Sequence, residues 1–377
     1  MLRLADRAVA MLAAVHARPG LTRAEASRLL EIGTGGAAEV VSTLVGAQLI
    51  AEGPPAATAA RGRPTRRLTA HPQGPVVLAA AISHASWRVE AGELGGAAVD
   101  SLGGQHPAGP APALLDAVAA AVGALRDRLG HRVQGLGISA PGVVVGERFV
   151  DAVSLGWTDV DLAAIWPDAP LLVADNDATL AALAESRRGA AVDARCALHV
   201  RIDAGLGGAL VDGGRLVGGA HGTSGEFGHL PLGDPAVRCP CGARGCWGTA
   251  VDGGALARLL GEPTPADPGT YARLVVDRAE GGERAARSAV GRAATELGRG
   301  LAGLVNALDP DVVSLGDVAA DLVTAAPEEL DSSYRGGLTR FRRASPPPVV
   351  PAVLGETGPL VGAAERVWDR WWTRLRR

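Results

Sequence analysis

The sequence predicts an α/β body in two lobes behind a small winged helix-turn-helix head, and three observations carry that expectation. Beyond residue 72, apolar runs of strand length alternate with stretches of helical length. Before it, three short amphipathic stretches lead into two extended segments, the second rich in Arg. Across that boundary the charge changes sign: residues 1–70 carry nine Arg against five acids, a balance of +4, and the rest of the chain a balance of −7. Duplex DNA repels a negative surface, so a basic head on an acidic body suits nucleic-acid binding by the head.

In the head, assigned to residues 1–71, Leu4, Ala8, Met11, Leu12 and Val15 share one helical face, and Pro19-Gly20 ends that helix. Thr22 precedes Glu25 by three residues, the spacing of a capping box, and Ala26, Leu29 and Leu30 follow as apolar positions. Val40, Val41, Leu44 and Val45 mark a third helix. Leu49-Ile50 opens an extended segment, Pro54-Pro55 begins a tip, and Arg61-Gly62-Arg63-Pro64-Thr65-Arg66-Arg67-Leu68 returns as a second strand. The second and third helices then form the motif that lays a recognition helix in the major groove. Thr34, Glu39, Ser42 and Thr43 are its polar candidates for DNA contact, whereas Gly35, Gly36, Ala37 and Ala38 offer bases no side-chain hydrogen bond. Arg61 and Arg63 on the wing are therefore candidates for phosphate or minor-groove contact. A small helical protein-interaction module is the alternative for this segment.

The body, assigned to residues 72–377, has expected strands at Val76–Ile82, Val133–Ile138, Leu171–Ala174, Ala197–Ile202, Val312–Leu315 and Val349–Leu354. Residues 111–129, 177–189, 281–308 and 358–376 read as helices. With 47% hydrophobic residues in 377, the chain can bury sizeable cores, which excludes general disorder. No apolar run approaches a membrane span, and Asp6 and Arg7 spoil any signal peptide, so a cytoplasmic location without membrane contact is expected. All 37 basic residues are Arg, which together with 52 Gly and 25 Pro looks like codon bias and weakens any single Arg as a clue.

Three of the four cysteines fall in Cys239-Pro240-Cys241-Gly242-Ala243-Arg244-Gly245-Cys246. Clustered thiols in a chain without an export signal point to metal rather than to disulfides. His229, ten residues upstream, completes a Cys3His set that suits one structural Zn2+ per chain with no open coordination position. Cys196, inside an expected strand, reads as a core residue. Asp175-Asn176-Asp177 sits where a strand ends and a helix begins, a common ligand position in α/β sheets. Ser224–His229 places Glu226 near the metal ligand, and Asp203-Ala204-Gly205-Leu206-Gly207-Gly208 makes a Gly-rich turn between two strands.

The order of these motifs resembles the ROK family of repressors, open reading frames and sugar kinases. Its marks are Ile138-Ser139-Ala140-Pro141-Gly142, Leu155-Gly156-Trp157, Asn176-Asp177-Ala178, Gly219-Ala220-His221-Gly222, Gly225-Glu226-Phe227-Gly228-His229, the cysteine run, and Asn306-Ala307-Leu308-Asp309-Pro310. The head ending in Gly62-Arg63-Pro64 resembles that of the family's repressor branch. The resemblance implies a two-lobed actin/hexokinase-like (RNase H-like ATPase) body with sugar in the cleft. Asn176, Asp177, Glu226 and His229 would then face the sugar hydroxyls, His229 while also ligating zinc. Asp177 matches the general base of the family's kinases.

One departure separates this chain from those kinases, and a second bears on the effector. Their phosphate-cradling Asp-x-Gly-x-Thr turn is replaced by Ala81-Ile82-Ser83-His84-Ala85, which offers neither the carboxylate nor the glycine. The x-Glu that the family places after its last zinc cysteine is replaced by Trp247-Gly248, which removes an acceptor for a sugar hydroxyl. Trp247 is then either a stacking face or a packing residue. Trp368, Trp371 and Trp372 share a face of the last helix, suited to packing on the other lobe or on a second subunit. The reading is a DNA-binding transcriptional regulator of the repressor type, a homodimer or homotetramer sensing a carbohydrate effector, with no kinase activity. An ATP-dependent sugar kinase and a ligand-sensing module without specific DNA recognition are the alternatives. If the wing contacts DNA, Arg61→Ala and Arg63→Ala each weaken binding and lower the salt slope by about one; parental binding at every salt concentration would make the wing a bystander.

Overall fold

The computed structural model describes residues 3–55, 66–106, 109–220 and 222–376. The head comprises helices α1 (Asp6–Ala17), α2 (Arg23–Leu29) and α3 (Thr34–Gly46) and the antiparallel ribbon β1 (Ile50–Pro55) with β2 (Arg66–Ala70). Its second helix starts on the expected capping box: Thr22 Oγ1 accepts from the Glu25 N–H, and the Glu25 carboxylate accepts from the Thr22 N–H at 2.8 Å. Arg61 and Arg63 lie outside the described residues.

The body repeats one topology twice. The first lobe contains β3 (Val76–Ile82), β4 (Ser86–Glu93), β5 (Ala98–Gln105), α4 (Ala111–Leu129), β6 (Val133–Ala140), the small sheet β7 (Val143–Val145), β8 (Phe149–Ala152) and β9 (Trp157–Asp161), then β10 (Leu172–Asn176) and α5 (Asp177–Arg188). The second contains β11 (Cys196–Ile202), β12 (Leu206–Asp212), β13 (Arg215–Leu216), α6 (Gly248–Val251), α7 (Gly253–Leu260), α8 (Pro268–Glu280) and α9 (Arg284–Leu308). It is completed by β14 (Val312–Asp317), α10 (Val318–Ala325), α11 (Pro327–Gly337), α12 (Arg340–Ala344) and β15 (Val349–Pro351), and α13 (Gly358–Arg376) returns to the first lobe.

The main sheets run β5-β4-β3-β6-β10 and β13-β12-β11-β14-β15. In each, three successive antiparallel strands are followed by two parallel ones beside the first. This duplication is the actin/hexokinase-like architecture, with its cleft between the lobes. The strands β4, β5, β7–β9 and β13 and the helices α6–α8 and α10–α12 have no counterpart among the elements expected from the sequence. The expected strand Val349–Leu354 ends at Pro351, and the helix expected from residue 281 begins after Gly281-Gly282, at Arg284.

The head does not keep a separate core. Met11, Leu12, Val15 and Leu44 pack with Val77 and Val173 of the first lobe and with Val367, Trp368, Trp371 and Leu375 of α13. The tryptophan face thus joins the head to the first lobe, a contact within the chain but not the packing on the other lobe that was expected. Trp368 stacks on Trp372 with centroids 5.3 Å apart, and the His16 ring of α1 lies 5.2 Å from Trp368. Beside them the buried Glu365 carboxylate meets His16 Nε2 at 3.1 Å, Arg187 at 3.1 Å and Arg188 at 2.5 Å. Burial alone would raise the Glu365 carboxyl, but His16, Arg188 and Arg187 hold it well below the usual carboxylate range.

Trp247, by contrast, is fully buried in the second lobe, donating from Nε1 to Glu296 O at 3.0 Å with its ring against Gly300. It packs and offers no stacking face to a ligand. Cys196 is half-buried at the first position of β11, less deep than the core placement expected. Truncating Trp368 to Ala should cost about 3–5 kcal/mol in urea denaturation and expose the head to proteolysis. An unchanged midpoint and unchanged cleavage would mean that the head does not depend on α13.

Candidate functional site

The Asn176, Asp177, Glu226 and His229 side chains, expected from motifs fifty residues apart, line one cavity of ≈380 Å³ between the lobes. Asn176 caps α5: its Oδ1 accepts from the Ala178 and Thr179 N–H groups, and its Nδ2 donates to Gly142 O at 2.8 Å. Capping fixes the side chain at the cleft edge and places Asp177 in the first turn of the helix. Glu226 reaches the cleft from a loop in which Gly225 has φ +101°, and a Cβ at Gly225 would run into Gly208 O. Burial pushes the Glu226 carboxyl up, against the pull of His229.

His229 works on two sides. Its Nδ1 lies 3.8 Å from Cys239 Sγ, and its Nε2 lies 3.5 Å from Glu226 Oε2 at the cleft. Cys241 and Cys246 have their Sγ atoms 3.7 Å apart, and the four donor atoms all fall within 4.8 Å of one another. Tetrahedral coordination with metal–sulfur bonds of about 2.3 Å separates ligand sulfurs by about 3.8 Å, so this set is gathered at the right scale for one ion. The cluster can hold a metal, and its soft thiolate donors match zinc.

The sequence reading missed Arg201. Its guanidinium, from the end of β11, is buried on the cleft floor with Nη1 2.7 Å from Asp177 Oδ2 and Nε 2.6 Å from Asp317 Oδ2. Burial alone would depress the guanidinium, but the Asp177 and Asp317 carboxylates outweigh it and hold the group above its ordinary value. Asp177 Oδ1 also accepts from the Ala178 N–H at 2.8 Å. Both carboxylate oxygens of Asp177 are therefore engaged by neighbouring groups. The replaced phosphate turn is occupied too. Ser83 Oγ is 2.8 Å from Ser86 Oγ, and His84 Nε2 crosses the cleft to Ala266 O at 3.1 Å.

The candidate DNA contacts do not join this site. Thr34, Glu39, Ser42 and Thr43 are exposed together on α3, where Thr43 Oγ1 donates to Glu39 O. A Cβ at Gly35 or Gly36 would meet nothing within 4 Å, so that end of the helix is open to a close approach.

Arg201→Ala leaves Asp177 and the buried Asp317 without their shared cation, and a loss of about 3–5 kcal/mol is expected in urea denaturation. The exposed pair Arg335–Asp331 serves as the control, with a change below about 1 kcal/mol expected for Arg335→Ala. Equal effects would show that the cleft pair is no more than a surface contact.

Residues 105–370 match the ROK family. A kanosamine kinase of Amycolatopsis mediterranei is 35% identical over 257 residues, covering 66% of this chain and 82% of the kinase. The Bacillus subtilis xylose repressor is 26% identical over 241 residues, covering 62% of this chain and 61% of the repressor. The crystal structure of a ROK-family transcriptional regulator, a homologue of the E. coli MLC protein, superposes with TM-score 0.75 at 21% identity and covers 98% of both chains, so the shared fold includes the head. Similarity extends to kinases and repressors alike, and on the family match over most of its length the chain belongs to the ROK family.

Proposed function

We propose that the protein is a transcriptional repressor that binds operator DNA through its head and a carbohydrate effector in its cleft, and that it has no kinase activity. The observation that carries this reading is the single hydrophobic core shared by the winged helix-turn-helix head and the first lobe. Such a head has one common use, laying α3 in a major groove, and dimeric placement of two heads would match paired half-sites. In this reading Thr34, Glu39, Ser42 and Thr43 face base edges and backbone, and Arg61 and Arg63 the phosphates or the minor groove.

Asn176, Asp177, Glu226 and His229 supply acceptors and donors for sugar hydroxyls. Asp177, held by Arg201 at 2.7 Å, is placed to accept a hydrogen bond from a hydroxyl. Ser83 and His84 provide no carboxylate to hold magnesium at the turn where phosphates would lie. His229 and Cys239, Cys241 and Cys246 would hold zinc as a closed structural set. The ion would fix the loop that carries Glu226, and His229 Nε2, beside Glu226, would face the ligand. A kinase bearing a head is the second reading, favoured by the kinase relatives and by retention of Asp177 and the Gly-rich turn at 203–208.

Coupled-enzyme assays with ATP and common hexoses and amino sugars should give turnover at background, and sustained phosphorylation would establish the kinase reading instead. Metal analysis should find one zinc per chain, lost in Cys241→Ala together with part of the melting temperature. A metal-free parent protein of equal stability would contradict the zinc assignment.

A further inference from the structure

We propose that the effector is a disaccharide or another two-ring glycoside, with one ring in the main cleft and the second in an adjoining cavity of ≈340 Å³. The inference rests on the carbohydrate reading given above. The two spaces meet: Val144, Asp175, Thr179 and Ser224 line both. A ligand held by Asn176 and Asp177 therefore needs to extend past only the first turn of α5 to enter the second cavity. Each space alone lies within the size range of small-molecule sites, so a single ring leaves one of them to water.

The lining of the second cavity suits hydroxyl groups. Glu147 and Arg366 stand on its wall paired at 2.5 Å, and Glu147 also accepts from Arg370 at 2.6 Å. Asp175 is largely buried, which pushes its carboxyl up, and among the described residues only its Oδ1 is hydrogen-bonded, to the Asn176 N–H. Its Oδ2 is left to accept from a ligand. Val217 adds an apolar patch of the kind that sugar ring faces cover. Neither an anionic group nor a purely apolar one finds a matching surface there, because Arg366 is already paired and Asp175 would be left without a donor. Gly248, which lines the main cleft, offers no side-chain acceptor there, and a second ring supplies contacts that a lone sugar would miss. Arg366 belongs to α13, so the second ring would touch the helix that holds the head.

The test uses the full chain and matched sugars: glucose with maltose and cellobiose, xylose with xylobiose, and N-acetylglucosamine with its β-1,4 dimer. Binding is read by thermal shift and calorimetric titration. At least one disaccharide should bind about tenfold or more tightly than its own monosaccharide. Val217→Trp, at a position 44% exposed, fills the second cavity and should remove that advantage while leaving monosaccharide binding unchanged. Val217→Phe repeats the test with less bulk if the Trp variant melts early. Monosaccharides binding as tightly as their dimers, or a Val217→Trp loss shared equally by both, would overturn the two-ring assignment and leave the carbohydrate reading standing. No response to any sugar would overturn both.

Discussion

The placement of the head depends on one buried carboxylate. Glu365 is 3% exposed, and a charge removed from water to that degree has to be compensated by partners in good geometry. Its partners come from two other elements: His16 from α1, and Arg187 and Arg188 from the end of α5. Arg188 also donates to Gly95 O at 2.9 Å, and the Gly95 N–H donates to His16 Nδ1 at 3.0 Å. His16 Nε2 lies between Glu365 Oε1 at 3.1 Å and Arg188 Nη2 at 2.7 Å. Because each of these groups satisfies another, the head can turn relative to α5 only by breaking several contacts together.

The same α5 begins at the cleft. Asn176 caps it and Asp177 occupies its first turn, so one rigid helix of 12 residues meets the candidate effector site at its start and the head's anchor at its end. At about 1.5 Å per residue the two lie about 18 Å apart. The cleft floor is tied in by Arg201, whose partners Asp177 and Asp317 sit on different elements. A ligand that prefers one lobe arrangement changes the surroundings of α5, and a shift in head affinity for DNA must then equal the difference in ligand affinity between the two arrangements.

Local features were the readable part of the sequence. The capping box of Thr22 and Glu25, the cysteine run with His229, the Asn176-Asp177 helix start and most long strands depend on neighbours within a few residues or on simple periodicity. Arg201 was invisible for two reasons: its partner Asp317 is 116 residues away, and in a chain whose basic residues are all Arg it looked like composition. Arg187-Arg188 was hidden in the same way, since its meaning comes from Glu365 on a distant helix. Trp247 had two readings at the sequence level because its burial is decided by Gly300 on α9, whose missing side chain makes room for the indole. The strands β7–β9 are short and irregular, so pairing rather than pattern defines them.

The central claim is that this cleft-bearing body serves a sequence-specific DNA-binding head. Selection of bound fragments from the source genome by the full chain, followed by anisotropy titration of the best fragment against random duplex at one fixed salt concentration, tests it directly. The account predicts a specific site preferred by about 10³-fold or more over random DNA. Equal affinity for the best fragment and for random duplex would contradict it.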